Sequence, residues 1–180
     1  MTLAKRTVEL FYDVISPYSW IAFEVLCRYR PKWNLDLQFR PFFLGGIMAG
    51  SGNRPPAMVP AKGVYMMKDI QRMQEYYGIP IIPPSVSIDI KILSFVCTKV
   101  GLSADETQAL ISKTKDQEIK DTLKETTQKA LDLGAFGAPL IVAHVNDEPH
   151  TFFGSDRFLL IAHLLGVEWE GPLRSQNSKL

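Results

Sequence analysis

The feature that most constrains the fold is a strand–helix–strand pattern in the first part of the chain. Residues 8–14 and 35–42 alternate polar and apolar side chains, which predicts two β-strands. Between them, Pro17 opens a helical pattern that ends near Pro31, because proline is favoured in the first turn of a helix and disfavoured in its interior. One helix between two strands forms a βαβ unit, so the two strands are expected to be parallel.

The last third of the chain has a different pattern, of two strands followed by a helix. Residues 140–145 and 150–153 predict the strands, and residues 146–147 predict the turn of a hairpin between them. Residues 154–165 predict a helix that ends at Gly166. The chain therefore closes with a ββα unit.

The middle of the chain predicts a block of helices. Residues 45–62 are rich in glycine and proline without a period, which predicts a long loop. Ser103 and Glu106 form a capping-box pattern, and Gly134 is suited to end the last helix of the block. The helices are predicted at residues 64–77, 90–100, 103–113 and 117–133.

A βαβ half and a ββα half around one sheet predict an α/β thioredoxin fold with an all-helical insertion between the halves. We expect a thioredoxin-like domain formed by residues 1–43 and 134–180, and a helical insertion domain at residues 44–133. The chain has 180 residues, of which 46% are hydrophobic, and this is enough for a well-buried core.

Charge and cysteine content exclude several classes of function. Twenty Lys and Arg nearly balance nineteen Asp and Glu, so there is no basis for a nucleic-acid or anionic-membrane partner. No apolar run is long enough to predict a membrane span. Cys27 and Cys97 are far apart, and His144, His150 and His163 form no ligand pattern, so we expect a reducing compartment and no metal.

The two ends of the sequence bear on localisation. The first residues lack the order of a secretory signal. Ser178, Lys179 and Leu180 form a peroxisomal address, which predicts recognition by the peroxisomal import receptor. A chance tail is the alternative.

The turn Ser16-Pro17-Tyr18-Ser19 is the first candidate site. It follows a strand and opens a helix, where free N–H groups and the helix dipole favour an anion such as a thiolate. Lowering the pKa of a thiol by about two units requires roughly 2.7 kcal/mol. A charge-assisted hydrogen bond from Ser16, worth about 1.5–3 kcal/mol, together with the helix end, is sufficient. The alternative is that Ser16 only caps the helix.

Three further segments are candidate parts of the same site. Pro139, after Ala138 and before a strand, is where the thioredoxin fold places a cis-proline, although an ordinary trans-proline is the alternative. Ser155 and Asp156 open a helix and suit the charged ends of an amino acid, but such residues are often simple caps. Asn53 and Lys62 lie in the Gly/Pro-rich loop and are unremarkable as isolated residues.

Long motifs in both halves of the chain closely resemble kappa-class glutathione transferases. Ser16-Pro17-Tyr18-Ser19-Trp20 and Phe153-Gly154-Ser155-Asp156-Arg157 are the clearest of them. The others are residues 8–14, 45–48, 51–56, 60–63, 123–127, 134–137, 142–145 and 164–166.

This resemblance implies a glutathione transferase that conjugates reduced glutathione to small electrophiles. Peroxidase activity toward lipid hydroperoxides is a further expectation from the resemblance. The resemblance implies no cofactor beyond glutathione as co-substrate, a homodimer, and a peroxisomal location or alternatively a mitochondrial one. Ser16 corresponds to the residue that stabilises the glutathione thiolate, and the implied glutathione contacts are Ser16, Pro17, Tyr18, Asn53, Lys62, Ala138, Pro139, Ser155 and Asp156.

Two departures from the family bear on activity. Leucine is common where Ala138 stands, a mild change if the contact is through the backbone. Between Ile82 and Ile90, the chain lacks a sizeable piece of the family's helical block. The alternatives are therefore a glutathione-dependent isomerase of the 2-hydroxychromene-2-carboxylate type and a non-catalytic glutathione- or ligand-binding protein.

Overall fold

A computed structural model describes residues 5–82 and 90–173 of the chain. The first half contains β1 (Arg6–Tyr12), α1 (Pro17–Tyr29), β2 (Leu35–Pro41), α2 (Leu44–Ser51), a short 3₁₀ turn (Pro56–Met58) and α3 (Pro60–Tyr77). The second half contains α4 (Ile90–Lys99), α5 (Ala104–Lys113), α6 (Gln117–Asp132), β3 (Leu140–Val145), β4 (Glu148–Phe153) and α7 (Phe158–Leu165).

The four strands form one mixed sheet in the order β2-β1-β3-β4. β1 pairs with β2 in parallel, as the βαβ pattern predicts, and β3 pairs antiparallel with both β1 and β4. The predicted α/β thioredoxin fold, with its βαβ and ββα halves, is confirmed.

Each face of the sheet packs against its own cluster of buried side chains. Successive residues of a strand point to opposite faces, so Leu10 and Ile141 belong to one cluster and Phe11 and Val142 to the other. The first cluster also contains the buried faces of α1 and α7. The second contains Ile47 of α2 and residues near the end of α6. The sheet thus fixes the positions of the end of β1, the start of α1 and the start of β3. The candidate site lies at these three places.

The predicted long loop at residues 45–62 is wrong in most of its length, because α2 and the start of α3 occupy it. α2 has no side-chain cap of its own. Instead, the backbone N–H of Phe43 donates to Thr127 Oγ1 at 2.9 Å, and that of Leu44 donates to Asp13 Oδ2 at 2.8 Å. These partners lie far away in the sequence, so the local pattern of Gly45 to Lys62 does not reveal the helix.

The last helix begins later than predicted. α7 begins at Phe158 rather than at residue 154, and the first backbone bonds of the helix run to Arg157 O. Gly154 has φ of +99°, which is outside the helical region. Ser155 and Asp156 therefore lie in the turn before the helix and do not cap it.

The chain divides into two compact units, one formed by Met1–Ile81 with Thr126–Leu180 and the other by Ile82–Glu125. The second unit spans fewer residues than the helical insertion domain expected at residues 44–133. The division into a thioredoxin-like domain and a helical insertion domain stays a prediction. Within this unit, Ser103 and Glu106 form the predicted capping box at the start of α5.

Some predictions fall outside the described residues. Ser178, Lys179 and Leu180 do so, as do residues 83–89 at the position of the shortened helical block. Among the described helices, none is both long and apolar enough to cross a membrane. Within the same ranges, no three His, Cys, Asp or Glu side chains are grouped in a way that could hold a metal ion.

Candidate active site

The turn between β1 and α1 places a serine hydroxyl at the positive end of a helix. Ser16 is the N-cap of α1, and its Oγ accepts the backbone N–H of Ser19 at 3.2 Å. Pro17 occupies the first helical position and has no N–H to satisfy. The first turn of α1 contains no acidic side chain, so the helix end is not neutralised by its own residues. This end therefore favours a bound anion.

The Ser16 hydroxyl lies against the loop that precedes β3. The Ala138–Pro139 peptide bond is cis, which confirms the prediction made for Pro139. Ser16 Oγ donates to the carbonyl oxygen of Ala138 at 3.4 Å, and Ser16 is only 7% exposed. The carbonyl of Pro139 accepts the N–H of Gly154 at 3.1 Å, which ties this loop to the segment holding Ser155. Three of the predicted segments are thus brought together.

A cleft of about 260 Å³ next to this loop contains four of the predicted site residues, Tyr18, Ala138, Ser155 and Asp156. We call it the Ser155 cleft. Ser155 is 2% exposed, and its hydroxyl has no hydrogen-bond partner among the described residues. A buried hydroxyl without a partner is costly, so this atom is suited to a polar ligand.

A second cleft, of about 370 Å³, contains Lys62 and again Tyr18. We call it the Lys62 cleft. Its other lining residues are Pro56, Ala61, Tyr65 and Met66. Lys62 is exposed, and it is the charged residue among those that line this mainly apolar cleft.

Asn53 lies elsewhere, since it lines neither of the two clefts. Its side-chain Nδ2–H donates to the carbonyl oxygen of Phe136 at 2.6 Å, and its Oδ1 accepts the N–H of Arg54 at 2.8 Å. Asn53 therefore connects the segment after α2 to the loop that ends at Pro139. In this structure its link to the site is the bond to this loop.

The structure adds charged residues that the sequence patterns did not single out. Asp69 lines the Ser155 cleft and accepts the hydroxyl of Tyr18 at its Oδ2, at 2.8 Å. Burial, followed by this bond, raises the pKa of Tyr18 well above its ordinary value, so its hydroxyl remains protonated and can donate. Arg157 lines the same cleft, and its Nε lies 3.3 Å from Asp156 Oδ1.

A signal for Asp69 was present in the sequence. It lies three residues after Met66 and four before Met73, so it shares a helical face with two apolar side chains. A carboxylate on an apolar face is unusual and is a reason to suspect a site. Arg157 directly follows the predicted pair and has no separate signal.

Comparisons with known proteins agree with this fold. A family model of the DSBA-like thioredoxin domain matches residues 7–94 and 87–166. Among solved structures, a 2-hydroxychromene-2-carboxylate isomerase superposes with a TM-score of 0.72 at 19% identity, covering 89% of this chain and 94% of that one. That likeness concerns the fold.

Two relatives match at higher identity. Human glutathione S-transferase kappa 1 is 40% identical over an alignment of 213 residues, gaps included, that covers 93% of this chain and 94% of the relative. Glutathione S-transferase kappa 1 of Caenorhabditis elegans is 34% identical over 220 residues, which cover 96% and 97%. Both alignments are longer than the 180 residues of this chain, so the relatives contain residues that it lacks. With its DSBA-like thioredoxin domain, this chain belongs to the kappa-class glutathione transferase family of enzymes.

Proposed function

We propose that the chain binds reduced glutathione and conjugates its sulfur to small electrophiles, with Ser16 stabilising the thiolate. The observation that supports this most directly is the position of the Ser16 hydroxyl, which lies at the start of α1 and against Ala138. Its bond to the Ala138 carbonyl is 3.4 Å long and therefore weak, so the hydroxyl can turn to a better acceptor. A thiolate is such an acceptor.

The two clefts suit the two charged ends of glutathione. In the Ser155 cleft, Asp156 would take the ammonium of the γ-glutamyl group, and the unpartnered Ser155 hydroxyl would take its carboxylate. In the Lys62 cleft, the lysine would pair with the glycine carboxylate. The peptide groups of Ala138 would hold the middle of the tripeptide, and Pro17, Tyr18, Asn53 and Pro139 would shape its surroundings.

The chemistry then requires little from the protein beyond ionisation and positioning. The bound thiol gives its proton to solvent, and Ser16 Oγ–H donates to the resulting thiolate. The sulfur attacks the electrophilic carbon, forms the C–S bond, and the leaving group departs with its electron pair. A third cleft, of about 250 Å³, borders the same turn at Ser19 and Trp20 and is lined mainly by apolar side chains, which suits an aromatic electrophile.

Replacing Ser16 with alanine tests the role of the hydroxyl. The loss of a charge-assisted hydrogen bond of about 1.5–3 kcal/mol should lower kcat/KM with a standard aryl halide by about 10- to 100-fold near neutral pH. The pKa of the bound thiol, followed by the ultraviolet absorbance of the thiolate, should rise toward the free value of about 8.5. Glutathione affinity should fall far less than kcat/KM.

Ser19→Ala is the matched control for the pKa of the bound thiol, because Ser19 lies in the same turn and its buried hydroxyl has no partner among the described residues. Its kcat/KM is not compared, since Ser19 borders the cleft proposed for the electrophile. Its backbone N–H to Ser16 is kept in this variant. Unchanged kcat/KM and thiol pKa in Ser16→Ala would contradict the proposed role, whereas an equal rise of the thiol pKa in both variants would indicate general damage to the turn.

Two other functions are distinguished by product. A glutathione-dependent isomerase of the 2-hydroxychromene-2-carboxylate type would return glutathione unchanged with an isomer, and the fold is shared with a solved enzyme of that kind. A non-catalytic glutathione-binding protein would be stabilised thermally by glutathione without forming any conjugate. Peroxidase activity toward lipid hydroperoxides belongs to the proposed transferase and would consume two glutathione molecules for each hydroperoxide.

Assembly and location are further parts of the proposal. A homodimer would sediment with twice the mass of one chain. Import into peroxisomes through Ser178, Lys179 and Leu180 stays a prediction, with mitochondria as the alternative location.

A further inference from the structure

Tyr18 is common to the two clefts. Tyr18 lines both the Ser155 cleft and the Lys62 cleft, and it is the residue that their two sets of lining residues share. It stands two positions after Ser16, in the first turn of α1, so its backbone is fixed by the same turn. The orientation of its side chain therefore affects both clefts together.

One face of α3 forms a wall of both clefts. Lys62, Tyr65 and Met66 line the Lys62 cleft, and Asp69 and Met73 line the Ser155 cleft. These five positions follow the helical spacing of three and four residues, so they lie along one side of the helix. Along α3, Met66 is the last residue that lines the Lys62 cleft, and Asp69 is the first that lines the Ser155 cleft.

The hydrogen bond from Tyr18 to Asp69 lies at this transition. Its length is 2.8 Å, and both residues are half-buried. The bond joins a charged acceptor to a neutral donor, a combination that is stronger than a bond between two neutral groups. Because the hydroxyl of Tyr18 remains protonated, the bond persists at physiological pH.

We propose that Asp69 is a positioning residue that fixes the ring of Tyr18 as the partition between the two clefts, so that glutathione directs its γ-glutamyl end to one side of the ring and its glycine end to the other. This role rests on the proposed function, since it concerns how glutathione binds. Asp69 acts through Tyr18 and has no part in ionising the thiol. Its loss should therefore weaken binding and leave the chemistry of the bound thiol unchanged.

The cost of losing Asp69 follows from the freedom that the ring gains. A tyrosine ring without its anchor must be ordered again when the ligand binds, and ordering one such side chain lowers affinity by about fivefold. The same cost applies if the hydroxyl is removed from the tyrosine. The two losses should not add, because each breaks the same bond.

The experiment is a double-mutant cycle on glutathione binding, with Kd measured by titration calorimetry. Asp69→Ala and Tyr18→Phe should each raise the Kd by about fivefold, and the double variant should raise it no further. Asp69→Asn should remain close to the unmodified protein, because its side-chain oxygen still accepts the hydroxyl of Tyr18. Glu75→Ala is the control, since Glu75 is a carboxylate of α3 that lines neither cleft.

A second readout distinguishes positioning from damage. The pKa of the bound thiol should be the same in Asp69→Ala and in the unmodified protein, while the Kd differs. Circular dichroism of each variant checks that it is folded. If Asp69→Ala does not fold, Asp69→Asn and Tyr18→Phe still decide the question, because the first keeps the bond and the second breaks it.

The outcomes separate the two proposals. If the unmodified protein does not bind glutathione, the proposed function is wrong and this role is lost with it. If it binds glutathione and both single variants keep its Kd, only the role of Asp69 is wrong. Losses that multiply in the double variant, or an Asp69→Asn variant as weak as Asp69→Ala, would likewise overturn the partition while leaving the proposed function intact.

Discussion

At the scale of single residues, the charge in the middle of the sheet is the least expected feature. Glu9 of β1 is 4% exposed, and its carboxylate contacts Arg40, Lys129 and His144. Its Oε2 lies 2.6 Å from Arg40 Nε and 3.0 Å from Lys129 Nζ, and its Oε1 lies 3.0 Å from His144 Nε2. The three partners come from β2, α6 and β3, so one carboxylate of β1 contacts three other elements.

We predict that Glu9→Gln destabilises the fold at neutral pH. The variant removes the charge that three basic groups share, but Arg40 and Lys129 are partly exposed and can be hydrated instead. The free energy of unfolding should therefore fall by about 2 kcal/mol, less than the loss of a fully buried pair. Urea denaturation measures it. Glu148→Gln, on the exposed part of β4, is the control and should change stability by less than about 0.5 kcal/mol.

The same pair of proteins should show a specific pH dependence. Burial alone would raise the pKa of Glu9, but the hydrogen bonds from Arg40, Lys129 and His144 outweigh it and lower the pKa from 4.5 to about 2. A lowered pKa in the folded state gives a stabilisation that is complete above pH 4.5 and is lost as the pH falls toward 2. The stability gap between the two proteins should close over this range, and a constant gap would contradict the assignment.

Residues of the site differ in how far the sequence revealed them. The N-cap position of Ser16 and the cis bond before Pro139 followed from a local pattern and from the fold. Asp69 was indicated only by its place on an apolar helix face, and its bond to Tyr18 did not follow, because Tyr18 is distant in the chain. The cluster around Glu9, which lines none of the clefts, did not follow for the same reason. Side-chain pairs between elements become visible only when the packing is known. His144, which had no recognisable pattern, is one of them.

At the scale of secondary-structure elements, α2 is the helix that the sequence hid. Gly45 and Gly46 lower its intrinsic preference for a helix, and its first N–H groups are satisfied by Asp13 and Thr127. Instead, its glycines allow neighbouring side chains to pack closely against the helix. A Cβ on Gly46 would lie 3.1 Å from Thr127 Cγ2 and 3.2 Å from Phe43 Cδ1. Packing therefore determines this element, whereas the four strands were predicted to within two residues at each end.

Two glycine-to-alanine changes should have opposite effects on stability. Gly63 of α3 has room for a Cβ, with Ala57 Cα at 3.6 Å, so Gly63→Ala should stabilise by about 0.5–1 kcal/mol through helix propensity. Gly46→Ala gains the same propensity but crowds Thr127, and should destabilise by about 1 kcal/mol. Thermal denaturation of both variants measures the difference. Stabilisation by both changes would show that α2 yields easily to a methyl group.

At the scale of the whole molecule, the two compact units differ in how much they bury. Among the side chains described in residues 92–125, those that are buried belong to Thr107 and Ile111. In the first unit, both faces of the sheet have clusters of fully buried side chains. Local opening is easier where few apolar contacts must break.

Hydrogen exchange should therefore distinguish the two units. We predict that backbone amides of α4 and α5 exchange much faster than those of β1 and β3, because the latter open only with the core. Mass spectrometry of peptic fragments measures this, with the same digest in denaturant as the reference for full exchange. Equal protection of α5 and β3 would contradict the difference in stability.

The turn at the start of α1 has hydroxyl groups, those of Ser16 and Ser19, at the positions where a redox protein of this fold would have thiols. On the proposed function, the reactive sulfur enters with each glutathione molecule and leaves with each product. Alkylating and oxidising agents then find no active-site cysteine to modify, and Cys27, half-buried, has a thiol whose pKa is raised by burial. Oxidative stress would deplete the supply of the nucleophile and leave the catalyst ready to resume once reduced glutathione returns.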